Sequence, residues 1–230
     1  MSEYLFEPAP PVSVEIDGTD VRFPVSRVFC VGRNYAAHVR EMGFDPGREE
    51  PCYFTKSARS IVPSGSEIPY PPATHDYHHE IELVVAIGRH GFQLAVDDTL
   101  SVVFGYACGL DMTRRDLQVA SRESKGPWDI GKDFENSAVI SPIRTVEGIG
   151  HPASGRIRLS VNDELRQDSD LENLIWSVPE IIAHLSRLYR LEPGDLIYTG
   201  TPDGVGPVDR GDHITGSVAT VGGISLTIAS

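Results

Sequence analysis

At 230 residues the chain is long enough to bury one core without disulfides, and its three isolated cysteines predict free thiols in a reducing compartment. Its formal charge of −13, with no cluster of Lys and Arg, argues against a nucleic-acid partner. No apolar run approaches the roughly 20 residues that span a bilayer, so we expect a cytoplasmic protein without a membrane partner.

The beginning of the chain differs from the rest. Residues 1–25 are rich in proline and contain a glycine turn, which predicts an extended arm or a small hairpin ahead of one main domain, residues 26–230. The main domain opens with a strand, RVFCVG, followed by a short helix in RNYAAHVREMG. Asn34 is the expected N-cap of that helix, and Gly43 is its expected end.

His38 and Glu41 lie on one face of this short helix. A carboxylate that orients an imidazole helps it to take a proton from water, so the pair is a candidate for acid–base catalysis. The alternative is an incidental surface pair, which is the commoner case. The next segment, FDPGREEP, has little apolar content, and we expect it to act with the helix as a lid that orders over a ligand.

The strand HHEIELVVAIG carries two acids within an apolar run. Two predicted strands, PCYFTK and SEIPY, come before it. Alternate side chains of a strand share a face, so Glu80 and Glu82 point the same way as Val84. The next strand, VVFGYACGLD, ends at Asp111, where a side chain emerges at the edge of a sheet.

These three acids suit a hard cation such as Mg²⁺ or Mn²⁺, because carboxylates without sulfur are its preferred protein ligands. Two alternatives remain open. The acids could lie on a solvated strand face. A zinc ion could instead be bound by His75, His78, His79 and Asp76, although their spacing matches no standard zinc pattern.

A second helix is predicted in MTRRDLQVASRES, where Thr113 and Asp116 resemble a capping pair. Arg115, Gln118 and Arg122 share one face of this helix. This face of the helix either lines a ligand-binding site or is exposed to solvent.

Lys132 lies among apolar residues in IGKDF, where it either stabilises negative charge or extends to solvent. A clearer structural helix follows in SVPEIIAHLSRLYRL, with Ser177 as cap and Glu180 three residues later. The chain ends in short strands with glycine turns. Strands outnumber helices without βαβ alternation, so we expect an α+β, mainly β fold, with a mixed sheet curled into a roll or barrel and a few short helices.

Six stretches, taken in order, resemble the fumarylacetoacetate hydrolase family: CVGRNYAAHVREMG, HHEIELVVAIG, GYACGLDMTRRDLQ, GPWDIGKDF, SPI and GDLIYTGTPDGVGPV. Within that family the chain is most similar to the bacterial fumarylpyruvate hydrolases of the gentisate route of aromatic catabolism. The resemblance implies the family's mixed β-roll over residues 26–230 and a homodimer. It also implies metal-dependent hydrolysis of the carbon–carbon bond of a 2,4-dioxo acid, here fumarylpyruvate to fumarate and pyruvate.

The resemblance further implies roles for individual residues. The implied metal ligands, for Mg²⁺ or Mn²⁺, are Glu80, Glu82 and Asp111; the catalytic residues are His38, Glu41 and Lys132; and the substrate contacts are Arg115, Gln118 and Thr201. Fumarylpyruvate has a second, distal carboxylate, which needs a local cation. Arg122 is the expected one, with Arg33 and Arg40 as other candidates.

Other activities remain open for the same residues. They are acylpyruvate cleavage in general, oxaloacetate decarboxylation, isomerisation of a hydroxy-dienoate, and cation binding by a β-rich module that is not an enzyme. The chain also departs from many relatives, which have a proline after the lysine of the FxK strand. Here Ser57 follows Lys56, which leaves the geometry of that loop open.

Overall fold

The computed structural model describes residues 4–43 and 47–230. Its five helices in these residues are α1 (Ala36–Glu41), α2 (Arg115–Glu123), α3 (Asp129–Lys132), α4 (Val146–Ile149) and α5 (Val178–Leu188). The strands of the same residues are β1 (Ser13–Glu15), β2 (Arg22–Pro24), β3 (Val28–Gly32), β4 (Cys52–Lys56), β5 (Ile61–Pro63), β6 (Ser66–Ile68), β7 (Tyr77–His79), β8 (Ile81–Ile87), β9 (Val103–Asp111), β10 (Thr113–Arg114), β11 (Ala138–Ile140), β12 (Arg144–Thr145), β13 (Arg156–Val161), β14 (Glu164–Asp170), β15 (Leu196–Tyr198), β16 (Gly206–Pro207), β17 (His213–Val218) and β18 (Gly222–Ile228). No helix in this part of the chain is long and apolar enough to cross a membrane.

The largest sheet carries the predicted acidic strand near its centre. Its order is β4-β3-β15-β8-β9-β11-β5, with β12 paired to β9. The β3–β15 and β5–β11 pairs are parallel, whereas β8–β9 is antiparallel. The prediction of a mixed sheet in a mainly β fold with few helices is therefore confirmed.

A five-stranded sheet, ordered β14-β13-β17-β18-β6, packs on one face of the largest sheet. Ile81 and Leu83 of β8 lie in this shared core with Leu159 and Ile214. Val84 lies on the opposite face, in a second apolar cluster. Both faces of β8 are thus buried, so the acids on it cannot be left to bulk solvent.

The N-terminal segment contains a hairpin, one of the two forms expected from the sequence, because β1 pairs antiparallel with β2. Val14 and Phe23 are buried in the second apolar cluster, and the ring of Phe23 stacks on Phe104 with centroids 5.5 Å apart. The hairpin therefore covers the second face of the largest sheet. The division of the chain into an N-terminal arm, residues 1–25, and a main domain, residues 26–230, stays a prediction.

The predicted cap of α5 is confirmed, since Ser177 and Glu180 form a reciprocal capping box. The other two predicted caps are wrong, because their side chains bind elsewhere. Asn34 Nδ2 donates to the Thr199 carbonyl oxygen (2.8 Å) rather than capping α1. At α2, Thr113 accepts from Lys132, and the Asp116 carboxylate accepts from the backbone of the loop before β7.

Candidate active site

Three carboxylates meet at the end of the β8–β9 ladder. The antiparallel register sets Asp111 opposite Glu80, and the Asp111 amide donates to the Glu80 carbonyl oxygen (2.8 Å). Glu82 lies on the same face of the chain two residues further on. One oxygen from each carboxylate lies within 4.8 Å of the others, and all three residues are buried. Across residues 4–43 and 47–230, no other three His, Cys, Asp or Glu side chains are grouped in this way.

Two buried cations lie against this carboxylate cluster. Lys132 Nζ donates to Glu80 Oε2 (2.8 Å) and Asp111 Oδ2 (2.6 Å). It also donates to Thr113 Oγ1 (2.7 Å), so its three N–H groups are all directed at protein acceptors. Arg115 donates to Glu80 Oε1. The cluster is therefore partly neutralised from one side.

Lys132 reaches the cluster because α3 packs closely on α2. A Cβ atom at Gly131 would lie 2.7 Å from the backbone nitrogen of Gln118. No larger residue fits between the two helices without a shift of one of them. Gly131 thus permits the approach that carries Lys132 to the carboxylates.

A third cation, Lys56, lies beside Asp111. The sequence alone gave no role to this lysine. Its Nζ lies 2.9 Å from Asp111 Oδ1, at an angle that makes an ion pair but no hydrogen bond. It donates instead to Ser137 Oγ (3.0 Å) and the Met112 carbonyl oxygen (3.3 Å). Asp111 Oδ1 is therefore buried without a hydrogen-bond donor.

The departure at Ser57 has a structural role. Its backbone N–H donates to Asp133 Oδ1 (2.7 Å), which a proline could not do. Its side chain also accepts from the backbone N–H of Arg59. This serine therefore ties the end of β4 to the residue that follows Lys132.

The two glutamates differ in their electrostatic surroundings. Burial opposes ionisation of Glu80, but the charges of Lys132 and Arg115 hold its pKa below the usual range. Burial, followed by the charges of Asp111 and Glu80, raises the pKa of Glu82 well above its usual range. A buried carboxylate that resists ionisation, beside an oxygen without a donor, fits a hard divalent cation.

His38 and Glu41 form the predicted pair on α1. His38 Nδ1 lies 3.2 Å from Glu41 Oε2, and the Gly204 amide donates to Glu41 Oε1 (3.0 Å). Burial opposes ionisation of Glu41, but these two hydrogen bonds lower its pKa below the usual value. An anionic Glu41 accepts the Nδ1 proton, which leaves Nε2 of His38 as the basic nitrogen.

One cavity, with about 460 Å³ of space when the open solvent at its mouth is included, brings most of these side chains together. It is lined by nine of the ten site residues expected from the sequence: His38, Glu80, Glu82, Asp111, Arg115, Gln118, Arg122, Lys132 and Thr201. The tenth, Glu41, contacts His38. Their individual roles remain predictions, but their common location is a fact of the fold.

The cavity has two further basic residues besides those on the carboxylates. Arg122 of α2 and Arg33, which follows β3, both line it with Trp128. The Arg33 guanidinium lies 5.7 Å from the Trp128 ring centroid, and Arg33 has a φ of 61°, which is uncommon outside glycine. Arg40, the third candidate for the distal carboxylate, is exposed on α1. Sequence reasoning gave no role to Trp128, because nothing in GPW distinguishes it from a packing residue.

The zinc alternative gains no support from the fold. His79 Nδ1 lies 3.1 Å from the side-chain oxygen of Gln167, and His78 Nε2 lies 2.7 Å from Asp76 Oδ1. The histidines are thus engaged separately. The predicted lid includes residues 44–46, which lie outside the described residues.

This fold and this site define a mixed-β protein with a buried carboxylate cluster and an adjacent His–Glu pair in one cavity. Residues 27–229 match the family model described as fumarylacetoacetate (FAA) hydrolase C-terminal. The chain belongs to the fumarylacetoacetate hydrolase family, as the sequence predicted.

Individual relatives are similar over most of the chain. A fumarylpyruvate hydrolase of Ralstonia sp is 50% identical over 184 residues, which is 80% of this chain and 95% of that protein. An oxaloacetate tautomerase of Escherichia coli (strain K12) is 38% identical over 211 residues, 91% of this chain and 94% of that protein. The crystal structure of fumarylpyruvate hydrolase from Pseudomonas aeruginosa in complex with Mn²⁺ and pyruvate has a TM-score of 0.96 and 52% identity, and the match covers 99% of both chains.

Proposed function

We propose that the protein hydrolyses a carbon–carbon bond of a 2,4-dioxo acid, with fumarylpyruvate cleaved to fumarate and pyruvate. The observation that carries this proposal is one cavity lined by a buried carboxylate cluster and by His38, which is paired with Glu41. The similarity to fumarylpyruvate hydrolases, one of them in complex with Mn²⁺ and pyruvate, supports the same substrate.

Glu80, Glu82 and Asp111 hold Mg²⁺ or Mn²⁺ in this proposal. The bound ion supplies Lewis-acid chemistry toward the 2-oxo acid end of the substrate. Arg115, Gln118 and Thr201 contact that end and fix its orientation. Arg115 supports this assignment, since its Nη1 donates to Gln118 Oε1 (2.9 Å) and so presents both side chains together on α2.

Hydrolysis needs a base for water and positive charge near the developing oxyanion. His38, oriented by Glu41, takes a proton from a water molecule that attacks the distal keto carbon. Lys132 stabilises the negative charge that develops on that oxygen. Because its three N–H groups are directed at Glu80, Asp111 and Thr113, a direct hydrogen bond to substrate requires one of these partners to be exchanged. The bond between the attacked carbon and the methylene then breaks, which releases fumarate and, after protonation, pyruvate.

The distal carboxylate of fumarylpyruvate binds Arg122 in this proposal, with Arg33 as the second cation of the same cavity. A chain with a formal charge of −13 repels a dicarboxylate unless cations are concentrated at the site. Two arginines in the lining meet that requirement.

We also propose that the protein acts as a cytoplasmic homodimer in aromatic catabolism of the gentisate type. All three cysteines are free, which is consistent with a reducing compartment. Light scattering on the purified protein tests the dimer, and a monomer at micromolar concentration would reject it.

The function is tested by measuring pyruvate release from fumarylpyruvate and acetylpyruvate, and turnover of oxaloacetate, in EDTA and with Mg²⁺ or Mn²⁺. We expect the highest kcat/KM for fumarylpyruvate, with turnover only when metal is present. Glu82→Gln is the matched variant, since it keeps the size of the side chain but removes a ligand charge. Metal-dependent turnover of oxaloacetate alone would favour the alternative that the 38% identical tautomerase suggests. Cation binding without turnover of any of the three would favour a binding module.

A further inference from the structure

Gln167 is a buried polar residue that the proposed reaction does not use. It lies in β14 of the five-stranded sheet and is 0% exposed, whereas Leu165 of the same strand is 51% exposed. The strand has a bulge at this point, because Leu159 pairs with Gln167 and Ser160 with Leu165. Bulges re-aim side chains and are frequent beside active sites. Here the strand directs an amide, and not the nearby leucine, into the interior.

The side chain of Gln167 joins β8 to the loop after β15. Its Oε1 accepts from the backbone N–H of Ile81 (3.1 Å), the residue between the two glutamates. Its Nε2 donates to Thr201 Oγ1 (2.9 Å) and to the Pro202 carbonyl oxygen (2.9 Å). The backbone N–H of Ile81 can only donate and the carbonyl of Pro202 can only accept, so these two groups fix the orientation of the amide.

This orientation determines what the Thr201 hydroxyl can do. An amide N–H₂ group donates and does not accept, so Thr201 Oγ1 must be the acceptor in this contact. The hydroxyl hydrogen of Thr201 is then free for a different partner, and Thr201 lines the cavity of the carboxylate cluster. We propose that Gln167 is a positioning residue that holds the Thr201 hydroxyl as a hydrogen-bond donor toward a carboxylate or carbonyl oxygen of the bound 2-oxo acid.

The strand β14 also supports the His38–Glu41 pair, through a glycine of the loop after β15. A Cβ atom at Gly204 would lie 2.0 Å from the carbonyl oxygen of Arg166, so only glycine permits this contact with β14. Gly204 has a φ of +85° and donates its amide to Glu41. The loop of residues 201–204 is thus fixed on β14 at both ends, by the Gln167 amide and by Gly204.

The inference rests on the proposed function only in that the ligand is a 2-oxo acid. Oxalate, which mimics the chelating end of the pyruvate enolate, is the probe. The test is a double-mutant cycle of Gln167→Met and Thr201→Val, with the affinity for oxalate measured by calorimetry on Mn²⁺-saturated protein. Loss of a hydrogen bond to a charged ligand should weaken binding roughly tenfold or more in Thr201→Val. Thr201→Ser keeps the hydroxyl and should keep most of the affinity.

Coupling between the two positions is the decisive result. We expect Thr201→Val to weaken oxalate binding less than about threefold in the Gln167→Met background, because the hydroxyl is no longer held as a donor toward the ligand. The proposal is overturned if Thr201→Val weakens oxalate binding by the same factor in the parent and in the Gln167→Met background, or if it has no effect on binding. If Gln167→Met does not fold, the same cycle is measured with Gln167→Glu at alkaline pH. The ionised carboxylate then accepts the hydroxyl hydrogen of Thr201, which is no longer available to the ligand.

Thr199 provides the matched control. It is buried two residues before Thr201, and its hydroxyl donates to the Leu83 carbonyl oxygen (2.9 Å) rather than into the cavity. Thr199→Val should lower Tm without changing the affinity for oxalate. An equal loss of affinity in this control would attribute the Thr201 effect to general packing and reject the proposal. Absence of fumarylpyruvate turnover in the unmutated protein would reject the proposed substrate, while the oxalate cycle would still decide the role of Gln167.

Discussion

Removal of the Lys132 charge is the most direct perturbation of the carboxylate cluster. Lys132→Met keeps a long side chain but deletes the hydrogen bonds to Glu80, Asp111 and Thr113. Lys132 is 2% exposed and Asp111 is 0% exposed, so bulk water solvates these groups poorly when the lysine charge is removed. Two carboxylates are then left close together with less compensating charge, and the folded protein should be destabilised.

The expected size of this loss follows from burial. Breaking a buried ion pair by removing one partner costs about 3–5 kcal/mol. For a chain of 230 residues this corresponds to a fall in Tm of roughly 6–20 °C. We expect the lower half of that range, because Arg115 still pairs with Glu80 and Lys56 with Asp111.

The pH dependence of the loss has a definite sign. Burial lowers the pKa of Lys132, but the charges of Asp111 and Glu80 outweigh this effect and raise it above the usual value. The stability from a raised lysine pKa is complete below the unfolded pKa of about 10.4 and disappears as pH rises through the folded pKa. Titration of Lys132 itself should therefore add no pH dependence near neutral pH to the difference in Tm between the parent and Lys132→Met.

The measurement is thermal unfolding in EDTA and again with Mn²⁺. Lys125→Met, on an exposed lysine that follows α2, is the control and should leave Tm unchanged. Mn²⁺ should raise Tm more in Lys132→Met than in the parent, since a divalent cation replaces the missing charge. A Tm within about 2 °C of the parent in EDTA would refute the reasoning that the Lys132 charge stabilises the buried carboxylate cluster.

Three further predictions concern the same cavity. Because the pKa of Glu82 is raised, metal-free protein should lose stability as pH rises above about 4.3. Glu82→Gln should abolish both this loss and the rise in Tm with Mg²⁺. Thermal unfolding curves of Glu82→Gln that match those of the parent would contradict the metal assignment. His38→Ala or Glu41→Gln should lower kcat by about 10²–10⁴-fold and should leave oxalate binding unchanged. The double mutant should be little worse than the poorer single mutant, because the two residues act as one unit. Undiminished turnover in either variant would show that the pair is not catalytic. Arg122→Ala should reduce kcat/KM for fumarylpyruvate more than for acetylpyruvate, whereas equal losses would show that Arg122 does not read the distal carboxylate.

Local patterns predicted the strands and helices that carry most of the cavity residues, but not α3, which carries Lys132. Alternation along the predicted strand set Glu80, which immediately precedes β8, and Glu82 on one face, and the fold separates that face from Leu83 as expected. The helical spacing of Arg115 and Gln118 likewise brought two cavity residues together. These predictions succeeded because each depends only on neighbours within one element.

Residues whose partners are distant in the chain were missed or misassigned. Gln167 binds Thr201, 34 positions away, and Ile81, 86 positions away. Asn34 was expected to cap α1, but its amide binds the Thr199 carbonyl 165 positions away. A polar side chain beside a helix start has the same local signature whether it caps the helix or ties two loops together. Only the tertiary contacts distinguish the two cases.

Glu82 in β8 and Glu80 just before it are both buried, so their carboxyl groups depend on protein partners or a bound ion rather than on water. Lys132 and Arg115 hold Glu80 in its charged form, but burial and its acidic neighbours keep the pKa of Glu82 raised. The folded metal-free protein therefore keeps a proton on Glu82 over a pH range in which the unfolded chain has lost it. A divalent cation at this carboxyl group would displace that proton, so cation binding and folding stability are linked. In the proposed assignment Glu82 has to lose this proton to become a ligand, so we expect the affinity for the cation to increase with pH. Glu82 is thus the part of the proposed site through which pH acts on both the stability of the metal-free protein and the affinity for the cation.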